Sequence, residues 1–185
     1  MYRIENNIYA KETGSYGKSL FAARDFKKDE VVFVVFGPLV TVATSYTIPI
    51  DDNLKINPRV PEENLCQFIC HSCEPNLGIK NRTCFVAMRD IKKNEEVCID
   101  YAMIGYEYGN EITDEERICK CGAATCRGKM GCYKELPSEL KEKYKGFIKP
   151  VYAHCDVPCK IYETDTIKHS EKKKKKMVQK IEDLG

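Results

Sequence analysis

No apolar run in this 185-residue chain approaches the roughly 20 residues that a membrane-spanning helix needs. The opening Met-Tyr-Arg-Ile-Glu-Asn-Asn also lacks the apolar stretch of a secretory signal. The chain is therefore expected inside the cell, in cytoplasm or nucleus, with no membrane partner. Net charge is nearly missing too: +2 at pH 7 is too little to name a nucleic acid or an acidic surface as partner. What imbalance exists is local. From Lys134 onward there are 13 Lys and Arg against 9 Asp and Glu, and the lysine run at 172–176 reads first as a solvated helix face. No repeat with a period of about 20–50 residues is apparent, which argues against a solenoid or propeller.

Cysteine, by contrast, is abundant, at eleven residues. In a reducing compartment such clustering reads as metal ligation rather than disulfide bonding. Hydrophobic residues make up 43% of the chain, enough for a core, and they come in short pieces. Residues 2–9 and 31–36 read as strands, the second buried, with a glycine turn at Gly14 and Gly17 between them. Residues 39–50 add short strand material, and 62–69 read as a short helix leading into a Cys/His segment. Residues 77–79 and 84–88 form a predicted hairpin around Asn81-Arg82, and a further strand is expected to end at Tyr101. Many short strands with frequent turns predict a β-rich α+β fold.

Three stretches carry chemistry. Gln67-Phe68-Ile69-Cys70-His71-Ser72-Cys73-Glu74-Pro75-Asn76 concentrates polar groups that are costly to bury unpaired. Glu95-Glu96-Val97-Cys98-Ile99-Asp100-Tyr101 delivers a phenol at a strand end, while Glu95 and Glu96, as neighbours in a strand, point to opposite faces and do not converge as paired acids. Cys119 and Cys121 in a tight Cys-x-Cys, with Cys126 after a loop of glycine and small residues, place three thiolates around one point, and a tetrahedral structural zinc needs one more ligand.

The first two stretches resemble the signature segments of SET-domain protein lysine methyltransferases, whose usual forms are Arg-Phe-Ile-Asn-His-Ser-Cys-x-Pro-Asn and Gly-Glu-Glu-Leu-x-x-Asp-Tyr. The resemblance implies a SET-type fold of several short sheets with a knot-like crossing, a zinc-bound post-SET segment and a helical C-terminal tail. It divides the chain into a catalytic domain at 1–108, a zinc segment at 109–133 and a tail at 134–185. It implies Cys73 as the fourth zinc ligand beside Cys119, Cys121 and Cys126. It places Tyr101 in the catalytic role, with Tyr46 as a second tyrosine of the lysine channel. For S-adenosylmethionine it implies a loop of Tyr16, Gly17, Lys18 and Ser19, together with Cys70 and His71. Ser19 stands where the family carries a second glycine, and Cys70 where it carries an asparagine whose amide contacts the cofactor. Ile99, two residues before Tyr101, leaves the number of methyls added open. The implied partner is a protein with an exposed lysine, a histone tail being the family default; no nucleic-acid motif is present, and the sequence does not give the oligomeric state.

A last motif, His154-Cys155-Asp156-Val157-Pro158-Cys159-Lys160-Ile161-Tyr162, resembles the nickel hook of nickel-type superoxide dismutases. It offers His154, Cys155 and Cys159 as a second metal site, with nickel as the implied ion. Superoxide or metal chemistry there, and a non-catalytic SET-like binding module, stand as the alternatives to methyl transfer.

Overall fold

A computed structural model describes residues 7–14, 16–42, 47–49, 54–57, 65–105 and 113–148. Strands β1 (Ile8–Glu12) and β2 (Lys18–Ala22) pair antiparallel, from Ile8 opposite Ala22 to Glu12 opposite Lys18. The first strand thus runs past the expected end at Tyr9, because β2 dictates which residues find partners, while residues 2–6 of the expected 2–9 lie outside the described residues. Gly14 and Gly17, at φ 80° and 85°, take the left-handed backbone that the connecting turn demands. Thr13 closes it by donating both its N–H and its hydroxyl to the Gly17 carbonyl, at 2.9 and 2.7 Å.

β3 (Val31–Val34) belongs to a five-stranded sheet with β7 (Cys70–His71), β8 (Leu77–Lys80), β9 (Cys84–Ala87) and β10 (Cys98–Ile99). The order is β3-β9-β8-β10-β7. The β8–β9 hairpin forms where the sequence predicts it, with Asn81 and Arg82 at φ 54° and 79°. β3 is shorter than the apolar run 31–36: its partner β9 begins at Cys84, so the ladder stops at Val34, and Phe36 is 73% exposed. The buried core gathers Leu20, Phe26, Phe33, Leu77, Ile79, Phe85, Ile91, Ile99 and Met103, with Phe33 and Phe85 stacked at 4.5 Å between ring centres. A separate three-stranded sheet joins β4 (Leu39–Val40), β6 (Lys55–Ile56) and β5 (Ile48–Pro49) in that order.

The crossing that organises the site lies in the larger sheet. β7 and β8 are joined by only residues 72–76, yet β10 runs parallel between them. The linking loop holds β10 with backbone bonds, Ser72 N–H to Ile99 O at 3.0 Å and Asn76 N–H to Cys98 O at 3.2 Å. The buried Asn76 side chain adds bonds to Cys98 N–H and Glu96 O at 2.9 and 2.7 Å. Its amide thereby replaces the ladder that the turning chain cannot supply.

Leu65–Phe68 is one 3-10 turn, and Tyr101–Met103 is another. The predicted strand therefore ends at Ile99, before Tyr101, because Asp100 turns the chain and caps the following N–H of Ala102. Residues 134–148, placed with the tail on sequence, pack on the sheet. They include helix α1 (Ser138–Lys143), the fully buried Tyr144, and Phe147, whose carbonyl accepts from Ile79 N–H at 2.7 Å. The rest of the predicted helical tail, from residue 149 on, lies outside the described residues. Among those described, no helix is long and apolar enough to cross a membrane.

Candidate active site

Because β7 and β10 are parallel neighbours, Cys70 lies opposite Cys98 and His71 opposite Ile99. This register sets the two polar sequence stretches side by side. Tyr101, one residue past the capping Asp100, donates its hydroxyl to the Ile69 carbonyl at 2.8 Å. Its backbone N–H donates to His71 Nδ1 at 3.2 Å, and the two rings sit 5.2 Å apart. An Nδ1 that accepts leaves the imidazole proton on Nε2, which faces Cys73 Sγ at 3.4 Å. Burial lowers the His71 pKa, with the Arg127 cation acting in the same sense against the Asp100 carboxylate, so the ring is neutral.

A cleft of about 290 Å³ opens beside these groups, its lining drawn from Tyr16, Cys70, His71, Glu96 and Tyr101 and from Cys119, Lys120, Cys121 and Met130. Glu96 is held in its wall from two directions. Tyr16 donates to Oε2 at 2.8 Å, and the fully buried Ser19 donates to Oε1. Partial burial and then the Glu96 carboxylate push the Tyr16 phenol up to about 12, which keeps it a donor. Cys70 makes long sulfur contacts to Phe68 O at 3.8 Å and Lys18 O at 3.9 Å and also interacts with the Ser19 side chain.

At the cleft wall, one ligand atom each from His71, Cys73, Cys119 and Cys121 fall within 4.8 Å of one another. Cys73 and Cys119 sulfurs are 3.9 Å apart, close to the roughly 3.8 Å edge of a tetrahedron built on zinc–sulfur bonds of about 2.3 Å. Partial burial opposes ionisation of Cys121, but the N–H groups of Cys73 and Ala123 and the thiols of Cys119 and Cys126 outweigh it and bring the Cys121 thiol down to about 7. Burial drives the Cys119 thiol up. Cys126 adjoins the group, its thiol interacting with those of Cys119 and Cys121. The nine described cysteines are all free thiols. A soft donor set of this kind suits a thiolate-seeking metal.

Comparison with known proteins agrees with this architecture. The profile described as SET domain matches residues 17–102. Residues 17–102 are a SET domain. Over 132 residues the chain is 31% identical to "Histone-lysine N-methyltransferase, H3 lysine-4 specific" of Neurospora crassa, covering 59% of this chain and 10% of that protein. Over 95 residues it is 37% identical to the protein of the same description from Candida albicans, covering 47% and 9%. This chain thus spans about a tenth of the length of these relatives. The crystal structure of KRYPTONITE in complex with mCHG DNA and SAH superposes with a TM-score of 0.54 at 22% identity, covering 70% of this chain and 30% of that one, and shows the shared fold.

The structure brings Tyr16, just ahead of the SET-domain match, and Cys70, His71 and Tyr101 within it to one cleft. Ser19 reaches it through Glu96, while Lys18 extends its Nζ over the Phe68 ring, 5.5 Å from its centre. Gly17 serves the turn. Cys73, Cys119, Cys121 and Cys126 gather as a group although residues 73 and 119 are far apart in sequence. Tyr46 lies outside the described residues, as do His154, Cys155 and Cys159. Sequence reasoning did not single out Glu96, Cys98 and Lys120 as cleft residues. The alternation that sends Glu95 to Asn76 and Arg89 sends Glu96 inward, so the strand period carried that signal.

Proposed function

We propose that this SET domain transfers a methyl group from S-adenosylmethionine to the side-chain amine of a protein lysine, with a histone tail as the candidate substrate. The observation that carries this reading is Tyr101. Its hydroxyl donates to Ile69 O while its ring borders the cleft, which fixes the phenol oxygen at the place where an incoming amine or a polarised methyl would meet it. S-adenosylmethionine, when bound, supplies an electrophilic methyl on a sulfonium. The chain's own task is alignment and exclusion of water, which accounts for much of the rate of such a displacement. A lysine entering beside Tyr101 and Met130 loses solvation, which lowers its pKa and frees its lone pair. Tyr16, Gly17, Lys18, Ser19, Cys70 and His71 are the proposed cofactor contacts, and Tyr46 the second tyrosine of the lysine channel.

Cys73, Cys119, Cys121 and Cys126 are the proposed zinc ligands. His71 faces Cys73 with a protonated Nε2, which suits a hydrogen bond to a metal-bound sulfur rather than ligation. The catalytic domain is assigned to residues 1–108, the zinc segment to 109–133 and the tail to 134–185, in an intracellular setting. The test is transfer of a labelled methyl from S-adenosylmethionine to histones and to a mixture of cell proteins by the zinc-replete chain, beside Tyr101→Phe. Label incorporated by the wild type and lost in the variant supports the reading. Absence of transfer together with absence of cofactor binding by calorimetry refutes it.

A further inference from the structure

Asp100 is fully buried, and the groups around it come from three separate parts of the chain. Arg127, in the cysteine-rich segment, grips both carboxylate oxygens, with Nη1 2.6 Å from Oδ2 and Nη2 2.9 Å from Oδ1. Tyr144, just after α1, donates its hydroxyl to Oδ2 at 3.0 Å. The Ala102 N–H donates to Oδ1 at 3.1 Å, and His71 Nδ1 lies 3.7 Å from the same oxygen. Burial and then the Asp100 carboxylate push the Tyr144 phenol up, so it stays a donor. A buried carboxylate is tolerated when a cation and hydrogen bonds replace its water, and losing the cation is costly. Arg127 supplies that cation in the two-pronged geometry that matches a carboxylate.

The geometry points to Arg127 and Tyr144 as positioning residues for Tyr101, acting through Asp100, so that the orientation of the phenol depends on docking of the cysteine-rich segment and of the chain after α1. This inference rests on the proposed methyl transfer and names the groups that set its geometry. The path is short. Arg127 holds Asp100, Asp100 caps the 3-10 turn that begins at Tyr101, and the same turn presents Tyr101 N–H to His71 and Tyr101 Oη to Ile69. Arg127 is also tied to the sulfur cluster, since its backbone N–H donates to Cys73 Sγ at 3.4 Å. Closure of the metal segment therefore delivers the countercharge of Asp100 at the moment it completes the cleft. A segment that swings away removes both.

Four forms of the full chain decide it: wild type, Arg127→Met, Asp100→Asn and the double variant, with bound zinc measured in each. Asparagine keeps an oxygen for the Ala102 cap and removes the charge that Arg127 neutralises. Arg127→Met is expected to retain its zinc and its KM values and to lose about 100-fold in kcat, the scale of a misplacement near 1 Å. The double variant is expected to be no worse than Arg127→Met, because the stranded charge is gone. Tyr144→Phe, which keeps the ring, should lose kcat by several-fold only. Amide exchange gives a readout independent of activity: the segment containing Tyr101 and Ala102 should exchange faster in Arg127→Met, with β8 and β9 unchanged. Unaltered exchange there, additive losses in the double variant, or loss of zinc in step with kcat would each overturn the inference. A wild type that transfers no methyl defeats the functional reading alone, and the exchange data then still decide the coupling.

Discussion

Tyr101 and Ile69 are joined by a hydrogen bond of 2.8 Å that runs from the phenol on the turn after β10 to the carbonyl just ahead of β7. It fixes the tilt of the phenol across the crossing of the chain. Tyr101→Phe removes that bond and should cost about 1 kcal/mol of stability, while kcat falls about 100-fold or more. Thermal unfolding and labelled-methyl transfer measured on the same preparation separate the two effects. A loss of activity no larger than the loss of stability implies would deny Tyr101 its role.

Cys70 lines the cleft with a thiol whose contacts to the Phe68 and Lys18 carbonyls are 3.8 and 3.9 Å long, where an amide would both donate and accept. Cys70→Asn should tighten S-adenosylmethionine binding by about tenfold, the value of one well-made hydrogen bond. Isothermal calorimetry is the check, and unchanged affinity would mean that the cofactor does not reach this residue.

Removing metal should uncouple the cysteine-rich segment. Treatment with a strong chelator, or Cys119→Ser, is expected to release one zinc per chain and to lower the melting temperature, with zinc but not magnesium restoring the chelated protein. A native protein whose Cys73, Cys119, Cys121 and Cys126 all alkylate freely before any chelator is added would rule the site out.

Gly78 faces Phe147 so closely that an added β-carbon would lie 2.5 Å from the phenylalanine Cβ. Gly78→Ala should therefore destabilise by about 1–3 kcal/mol through overpacking. Combining it with Phe147→Ala should recover part of that loss in a thermal melt. An unchanged melt for the single variant would show that the segment after α1 is not seated on β8.

Burial pushes the Cys66 thiol up to about 12 and the Cys98 thiol up to about 11. Both stand above the ordinary value near 8.5, so the fold favours the protonated form. Their contribution to stability is complete below that ordinary value and is lost as pH rises through 11 to 12. Alkylation of these two residues at pH 8 should be slow in the folded chain and rapid after unfolding, as peptide mapping by mass spectrometry would show. Rapid labelling of both in the native protein would contradict this half-buried setting.

Much of this protein was legible because its signals are local. The Asn81-Arg82 turn between the runs 77–79 and 84–88 predicts a hairpin, and the structure shows it, with both turn residues at positive φ. The spacing of Cys119, Cys121 and Cys126 announces a metal loop, and alternation along 95–96 separates the two glutamates. Errors fall where a partner element decides. Residues 31–36 are uniformly apolar, but the strand lasts only as long as β9 is there to pair with it. Tyr101 follows an extended run, yet Asp100 ends the strand by capping a turn.

By itself the sequence determined the kind of fold, the signature segments, and the presence of a thiol cluster, since each is written in composition, period or spacing over a few residues. The tertiary structure alone decided that β10 passes between β7 and β8, that Ser19 and Tyr16 hold Glu96 in the cleft, and that Arg127 neutralises Asp100. Those contacts join residues 22 to 80 positions apart. Pairing over such distances leaves no periodic trace in the chain and is selected only when the core closes, because the charge and hydrogen-bond cost of burying Asp100 and Glu96 is met by whichever side chains the packed sheet brings within reach.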